Sequence, residues 1–216
     1  MAKSKGSSDT RSNDADETRN NILEIAAREF ADKGLAGARI DEIAEKTSSS
    51  KRMIYYYFGG KEELYRAVLE RAYAQIRSRE EEASEKLHEL SAEDALRAQI
   101  EQTFDYHAGN PDFVRLVMNE NIHHGEHIGH VPGLKERNRS VIAQLRAIIE
   151  KGVAEKVFRD GIDPVDLHMS ISALCFYNVS NRYTFSANFG LDMGAAKALK
   201  KRREQVAEII LAWVKR

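Results

Sequence analysis

Apolar residues recur at intervals of three and four along nearly the whole chain, and this spacing limits the fold more than any other sequence feature. A period near 3.6 places apolar side chains on one face of a helix. Only 3 prolines and 13 glycines interrupt the 216 residues, which is little punctuation for a fold with many strands and turns. The sequence therefore predicts an all-α fold.

The composition excludes several classes of protein. Lys and Arg number 33 and Asp and Glu 34, so the formal net charge is −1, and DNA could be contacted only through a local basic patch. The single cysteine, Cys175, excludes a disulfide framework and an all-thiolate zinc site. The first twenty residues are polar, and the apolar run Ile209–Val214 is far shorter than the ~20 residues that span a bilayer. We expect a cytoplasmic protein that has no membrane partner.

Three parts of the chain can be distinguished. Residues 1–16 are rich in Ser, Asp and Lys without apolar periodicity, which is typical of a disordered tail. Within residues 17–62, a helix ending near Gly34 is followed by two short helices that are separated by a run of threonine and serines. This order predicts a helix-turn-helix domain. Residues 63–216 contain further amphipathic helices and form a second domain.

The charge distribution singles out residues 46–61. This stretch has four basic residues and no acidic one, in a chain of net negative charge. It also contains three serines, one threonine and three consecutive tyrosines, Tyr55–Tyr57, which together provide hydrogen-bond donors for phosphates and base edges. The stretch is therefore a candidate DNA-binding surface.

The residues from Ser50 to Leu64, SKRMIYYYFGGKEEL, resemble the signature of the TetR family of transcriptional repressors. Upstream, Ile22–Phe30 is similar to the first helix of that family, and Asp41–Ala44 is similar to its second helix. The Gly161–Pro164 sequence and the chain length are also similar to the pyrimidine-utilisation regulators within the family. The resemblance implies a repressor without enzymatic activity, catalytic residues or cofactors.

The resemblance also implies which residues contact DNA. Ser50 is expected to cap the recognition helix and contact a phosphate, while Lys51 and Arg52 read guanine edges in the major groove. Lys61 begins the next helix and is expected to hold a phosphate there. The complete candidate set is Arg39, Ser50, Lys51, Arg52, Met53, Tyr55, Tyr56, Tyr57 and Lys61.

Two departures from the family pattern affect this motif. The family commonly has glycine and then a hydrophobic residue in the turn, whereas this chain has Ser48 and Ser49. Arg52 and Met53 stand where small residues are frequent in the family. We therefore expect a looser turn, and an operator sequence that cannot be transferred from a relative.

The remainder of the chain is expected to bind a small-molecule effector and a second copy of the chain. The resemblance implies a cavity between the central helices, and its candidate residues are Phe104, His107, Met118, Asn119, His123, Cys175, Asn178 and Arg182. Arg182 is expected either to hold a ligand carboxylate or to form an ion pair with an acid such as Glu120. The candidate homodimer interface comprises Phe176, Val179, Tyr183, Val206 and Ile210.

The resemblance further implies the mode of action. A homodimer would present two recognition helices to a palindromic operator in double-stranded DNA, ~34–36 Å apart. An effector that prefers a conformation with a different spacing would release the operator.

A cluster of histidines leaves a metal-dependent helical enzyme open as an alternative. Four of the seven histidines lie between His123 and His130, and Glu120 and His123 have the Glu-x-x-His spacing of di-metal sites in helical bundles. Glu85 and His88 repeat this spacing, but within a charged stretch that indicates a solvated helix surface. We therefore expect no metal.

Overall fold

The protein is described by a computed structural model that covers the backbone of residues 7–216 and the side chains of residues 14–82 and 87–216. The described residues form ten α-helices, one 3-10 turn at Ile128–His130 and no strand, which confirms the all-α fold. The helices are α1 (Ser7–Gly37), α2 (Ile40–Thr47), α3 (Lys51–Phe58), α4 (Lys61–His88), α5 (Ala92–Gly109), α6 (Pro111–Ile122), α7 (Leu134–Ala154), α8 (Pro164–Ser180), α9 (Arg182–Phe189) and α10 (Ala196–Val214). No helix in this part of the chain is long and apolar enough to cross a membrane.

Two helix boundaries differ from the sequence prediction. Helix α1 begins at Ser7, so the described part of the predicted tail is helical, while residues 1–6 of that tail lie outside the described residues. Adding turns to an existing helix costs much less than starting one, and this allows the polar segment to extend it. Asn181 interrupts the single helix predicted from Pro164 to Tyr183, and a separate helix α9 follows.

The chain divides into two compact units. The first comprises the described residues up to Arg71 together with Arg115–Pro132, and the second comprises Ala72–Val114 and Gly133–Arg216. Helices α4 and α6 each contribute residues to both units. The structure therefore divides the chain differently from the predicted boundary between residues 62 and 63.

The core of the first unit comes mainly from α1 to α4. Phe30 and Tyr65 are buried with their rings edge to face at a centroid distance of 5.0 Å. At Gly34 the φ angle of 66° interrupts the helical backbone, so the chain turns where the sequence predicts the end of the first helix. Ala38 and Ile40, after this turn, are buried again.

One buried carboxylate joins α1 to α2. Glu29 forms ion pairs with Lys33 and with Lys46, whose Nζ lies 2.5 Å from the Glu29 carboxylate. Burial alone raises the pKa of Glu29, but the hydrogen bonds from these two lysines outweigh burial and lower the pKa to about 2. Because Lys46 lies in the last turn of α2, this ion pair fixes the end of α2 against α1.

The core of the second unit is formed by α5, α7, α8 and α10. Apolar side chains from these four helices form one cluster, which includes Leu96, Ile148, Ile171 and Ile210. The last residues of the chain pack beside the α7–α8 connection, where the Arg159 amide donates to the Val214 carbonyl oxygen. These contacts place α5 and α8, which contain most of the candidate effector residues, at the centre of the unit.

Gly152 of α7 tests this packing. A Cβ atom added at Gly152 would lie 2.0 Å from Cδ2 of Phe158, a ring that is completely buried. We expect Gly152→Ala to lower the free energy of unfolding by about 1–3 kcal/mol in urea denaturation, because the Phe158 ring must move. The matched control is Gly109→Ala, where an added Cβ meets nothing within 4 Å. Equal effects of the two substitutions would contradict this packing.

Candidate functional site

Helix α3 separates its side chains into a buried face and an exposed face. Ile54 and Phe58 are buried in the first unit, as the sequence predicts. The side chain of Ser50 accepts a hydrogen bond from the Met53 amide at 3.2 Å, so its predicted role as helix N-cap is confirmed. Gly59 ends the helix with a φ angle of 85°. These local features fix which side chains α3 presents to solvent.

The exposed face of α3 contains the predicted DNA-contacting residues. Lys51 and Arg52 are exposed in the first turn, and the exposed side chains beyond them are Met53, Tyr55 and Tyr56. Tyr56 is 79% exposed and contacts the half-buried Tyr57 edge to face. One helix face therefore combines cations with phenol hydroxyl groups.

The predicted cations differ in their present partners. Lys51 Nζ lies 2.6 Å from a carboxylate oxygen of Asp41, and the hydrogen bond from this carboxylate raises the pKa of Lys51. Lys61 Nζ lies 3.3 Å from the Ala36 carbonyl oxygen. Arg39, the N-cap of α2, and Arg52 have no ion pair or hydrogen-bond partner among the described residues. Arg52 is thus the better placed of the two predicted base readers, since Lys51 must first leave Asp41.

Ser48 gives the turn between α2 and α3 an unusual backbone conformation. Its φ of 53° and ψ of 22° lie in the left-handed region, and its amide donates to the Ala44 carbonyl oxygen. The Ser49 amide donates to the same oxygen at 3.2 Å. A residue with a Cβ is strained in this region, which explains why the family prefers glycine here.

The candidate effector residues fall into both units. Phe104, His107, Cys175 and Asn178 are buried in the second unit, where Arg182 is half-buried. His107 Nδ1 lies 2.7 Å from the Thr103 carbonyl oxygen, and burial lowers the pKa of His107. Arg182 has no ion-pair partner among the described residues, so no ion pair with Glu120 forms.

The other three candidate effector residues belong to the first unit. Asn119 donates a hydrogen bond to the Phe30 carbonyl oxygen at 3.1 Å and so contributes to the structure of that unit. Met118 is half-buried, and His123 is exposed. These positions give no support to Asn119 or His123 as ligand contacts.

Three residues predicted for the dimer interface need correction. Val206 and Ile210 lie in the core cluster of the second unit, and Val179 is buried, so their side chains are covered by their own chain. Phe176 is half-buried and Tyr183 is exposed. A helix that is apolar on two faces turns one face inward, and periodicity does not say which one. The apolar side chains exposed on α8 and α10 are instead Val165, Met169, Tyr177, Ile209 and Trp213.

The histidine cluster does not assemble a metal site in the described part of the chain. No group of three or more His, Cys, Asp or Glu side chains there is placed to hold a metal ion. Glu120 is buried and accepts hydrogen bonds from the His127 and Ile128 amides instead. The side chain of Glu85, in the second Glu-x-x-His sequence, lies outside the described residues.

Two charged residues of α4 were missed by sequence reasoning. Arg77 and Glu80 are buried and form an ion pair, although the charged end of this helix indicates a solvated surface. Burial raises the pKa of Glu80 to about 7 in spite of Arg77. His168 of α8 was also missed, and burial lowers its pKa to about 4. Charge and spacing alone gave no signal for these three residues.

Two family profiles match the chain. The family described as "Bacterial regulatory proteins, tetR family" matches residues 22–68, and the family described as "Tetracyclin repressor-like, C-terminal domain" matches residues 93–210. The HTH-type transcriptional repressor NicS of Pseudomonas putida is 35% identical over 206 residues, which cover 95% of this chain and 96% of the relative. An HTH-type repressor of Streptomyces coelicolor is 31% identical over 171 residues, which cover 77% of this chain and 80% of the relative.

Solved structures agree with these relatives. A transcriptional regulator from Streptomyces coelicolor superposes with a TM-score of 0.67 at 25% identity, covering 91% of this chain and 98% of that chain. A tetR-family regulatory protein from Rhodococcus gives a TM-score of 0.71 over 92% of this chain and 97% of that chain, and at 19% identity it supports the fold alone. These proteins are transcriptional regulators, which excludes the enzyme alternative. Membership of the pyrimidine-utilisation branch stays a prediction.

The strained turn provides a direct test of the helix-turn-helix geometry. We expect Ser48→Gly to raise the free energy of unfolding by about 0.5–1 kcal/mol, because glycine adopts the left-handed conformation without the Cβ penalty. The matched control is Ser49→Gly, whose backbone does not have a positive φ and should gain nothing. Urea denaturation of the full chain measures both effects. A gain at Ser49 and not at Ser48 would contradict the turn geometry.

Proposed function

The chain belongs to the TetR family of transcriptional regulators, and on this premise we propose that it is a homodimeric repressor of a palindromic operator. In this proposal residues 17–62 contain the DNA-binding motif, and residues 63–216 bind the effector and the second subunit. A small-molecule effector releases the operator. The observation that carries the proposal is the exposed basic and phenolic face of α3, held outward by the buried Ile54 and Phe58.

Specific contacts to DNA are assigned to different parts of this surface. Arg52 is exposed in the first turn of α3, where an arginine can bind guanine O6 and N7 through two hydrogen bonds. Lys51 adds a second cation once Asp41 releases it. Arg39, Ser50 and Lys61 are at the beginnings of α2, α3 and α4, where side chains and amide groups together hold phosphates. The remaining contacts are assigned to Met53, Tyr55, Tyr56 and Tyr57.

Homodimerisation is supported by apolar side chains that the second unit leaves exposed. Helices α8 and α10 pack against each other, and their exposed side chains include Met169, Ile209 and Trp213. Exposed apolar groups concentrated on two neighbouring helices are typical of a protein interface. We assign the interface to these groups with Phe176 and Tyr183, in place of the buried Val179, Val206 and Ile210.

Effector response follows from linkage between two conformations. An effector that binds the conformation with the wrong spacing of recognition helices must lower DNA affinity by the same factor that DNA lowers effector affinity. The candidate effector residues in the second unit are Phe104, His107, Cys175, Asn178 and Arg182. Four of them are buried, which suits a ligand enclosed by the helices.

DNA reading is tested by comparing two substitutions in gel-shift titrations. We expect Arg52→Ala to weaken binding to the specific operator by about 1–3 kcal/mol per half-site and to relax the preference at one base pair. Lys61→Ala should weaken binding to all sequences alike and reduce the salt dependence by about one counterion per contact. Arg28→Ala, an exposed arginine of α1 paired with Glu24, is the control without an effect. Equal, sequence-independent losses from Arg52→Ala and Lys61→Ala would contradict the assignment of Arg52.

Dimerisation is tested at Ile209, which is 47% exposed. We expect Ile209→Glu to sediment as a monomer of 24.5 kDa and to lose operator affinity about 100-fold or more, because one half-site no longer assists the other. The helical circular dichroism should be unchanged. Glu208→Gln, at an exposed neighbouring position of α10, should remain dimeric. A wild-type protein that sediments as a monomer, or a dimeric Ile209→Glu variant, would contradict the interface.

A further inference from the structure

The second unit contains a buried guanidinium group whose hydrogen-bonding capacity is only partly used. Arg77 is 7% exposed and Glu80 is 5% exposed, and they are the two charged residues buried in the described part of this unit. Arg77 Nη1 donates to a Glu80 carboxylate oxygen. Arg77 Nε is fully buried and has no partner. An unpartnered buried donor costs about 1–3 kcal/mol, so Nε marks a place where an acceptor is missing.

The charge of Arg77 is incompletely balanced at neutral pH. Burial raises the pKa of Glu80 to about 7, with a further contribution from Glu81, although Arg77 opposes the shift. Glu80 is therefore only partly ionised at neutral pH, and the guanidinium keeps part of its positive charge without a counter-ion.

The other titratable groups near Arg77 do not supply a negative charge. On α5, burial lowers the pKa of His107 and raises that of Tyr106 to about 12, with smaller contributions from Arg79 and Glu80 at Tyr106. On α8, burial lowers the pKa of His168 to about 4, assisted by Arg77 and His107. All three groups are neutral at pH 7, so this environment favours an incoming anion.

Aromatic rings lie beside this guanidinium. Phe113 contacts Tyr73, Tyr106 and His107 edge to face, with centroid distances between 5.3 and 5.8 Å. His107 also contacts Phe176 of α8 at 6.0 Å. Because Arg77 influences the pKa of both Tyr106 and His107, its charge lies close to this group of rings. An aromatic ligand could pack here in the same edge-to-face manner.

Two further buried side chains have unpartnered polar atoms on the same pair of helices. Gln99 Oε1 on α5 and Asn178 Nδ2 on α8 have no hydrogen-bond partner, and both residues are almost completely buried. The Cys175 Sγ atom lies 4.0 Å from the Ile100 carbonyl oxygen, which brings these parts of α5 and α8 together. One acceptor and one donor are therefore available in addition to Arg77.

From these observations we propose that the effector is a small aromatic acid, whose carboxylate binds Arg77 through Nε while its ring packs among Tyr106, His107 and Phe113. The carboxylate competes with Glu80 for the guanidinium. Polar substituents on the ring of the acid would pair with Gln99 and Asn178. This inference rests on the proposed function, because it names the chemical class of the effector for that same unit.

Matched pairs of acids and amides provide the test. Benzoate, salicylate and phenylacetate, each beside its carboxamide, are titrated at millimolar concentration into the full-length protein without DNA, by calorimetry and by thermal shift. We expect at least one acid to bind and its amide to bind at least tenfold more weakly. Binding by none of the acids, or equal binding of acid and amide, would overturn the proposal.

Variants then identify the residue that recognises the carboxylate. We expect Arg77→Gln to weaken binding of the acid by about 10- to 100-fold, which corresponds to the loss of a charge-assisted hydrogen bond. Arg79→Gln, an exposed arginine of the same helix, should leave acid binding unchanged. If Arg77→Gln alone fails to fold because Glu80 is left buried and unpaired, the double variant Arg77→Gln/Glu80→Gln removes both charges and should give the same loss. Unchanged acid binding in the folded variant would overturn the assignment.

The pH dependence gives a readout that a purely structural ion pair would not show. The acid should bind more tightly at pH 6 than at pH 8, because Glu80 loses its proton over this range and then competes for Arg77. In Glu80→Gln the acid should bind at least as tightly as in the wild type, with this dependence removed. A dependence that persists in Glu80→Gln would contradict competition between the acid and Glu80.

Operator binding by the ligand-free protein separates failure of this inference from failure of the proposed function. Operator binding without any binding of acids would overturn only the effector class. Binding of an acid by a protein that binds no operator would support the buried site and contradict the repressor. The expected result is operator binding by Arg77→Gln that the acid no longer releases.

Discussion

The burial of one face of α3 determines what the first unit can present to DNA. Ile54 and Phe58 are four residues apart and therefore lie on the same side of the helix. Once both are buried, Arg52 and Tyr56 must face solvent. The Glu29 carboxylate, paired with Lys33 and Lys46, fixes α2 relative to α1 at the same time. The short helices α2 and α3 contribute little stability by themselves, so these tertiary contacts position the recognition surface.

A different constraint operates in the second unit. Arg77 and Glu80 are buried charges, and replacing such a pair with apolar residues is often neutral or stabilising for a fold. Their retention is therefore better explained by recognition than by stability. The neutral His107 and His168 nearby leave the guanidinium without a fully ionised partner. Exposed apolar groups on α8 and α10 of this unit provide a separate surface for a second subunit.

The sequence predicts local features well and long-range packing poorly. The Ser50 cap, the buried Ile54 and the break at Gly59 follow from side-chain chemistry within a few residues, and the structure confirms them. The burial of Glu80 depends on helices distant in sequence, which a run of charged residues cannot indicate. Val206 and Ile209 lie three residues apart in one apolar pattern, yet only Ile209 is exposed. Which apolar face meets its own chain is decided by packing between helices.

Selection of bound DNA from a random pool by the purified protein tests the central claim most directly. We expect enrichment of one palindromic motif whose half-site centres are separated by about 10 base pairs, one turn of the double helix, or by a multiple of that spacing. Such a motif requires two recognition helices related by twofold symmetry, and returns the operator sequence itself. Absence of any enriched motif, or enrichment of a single asymmetric site, would contradict a homodimeric repressor.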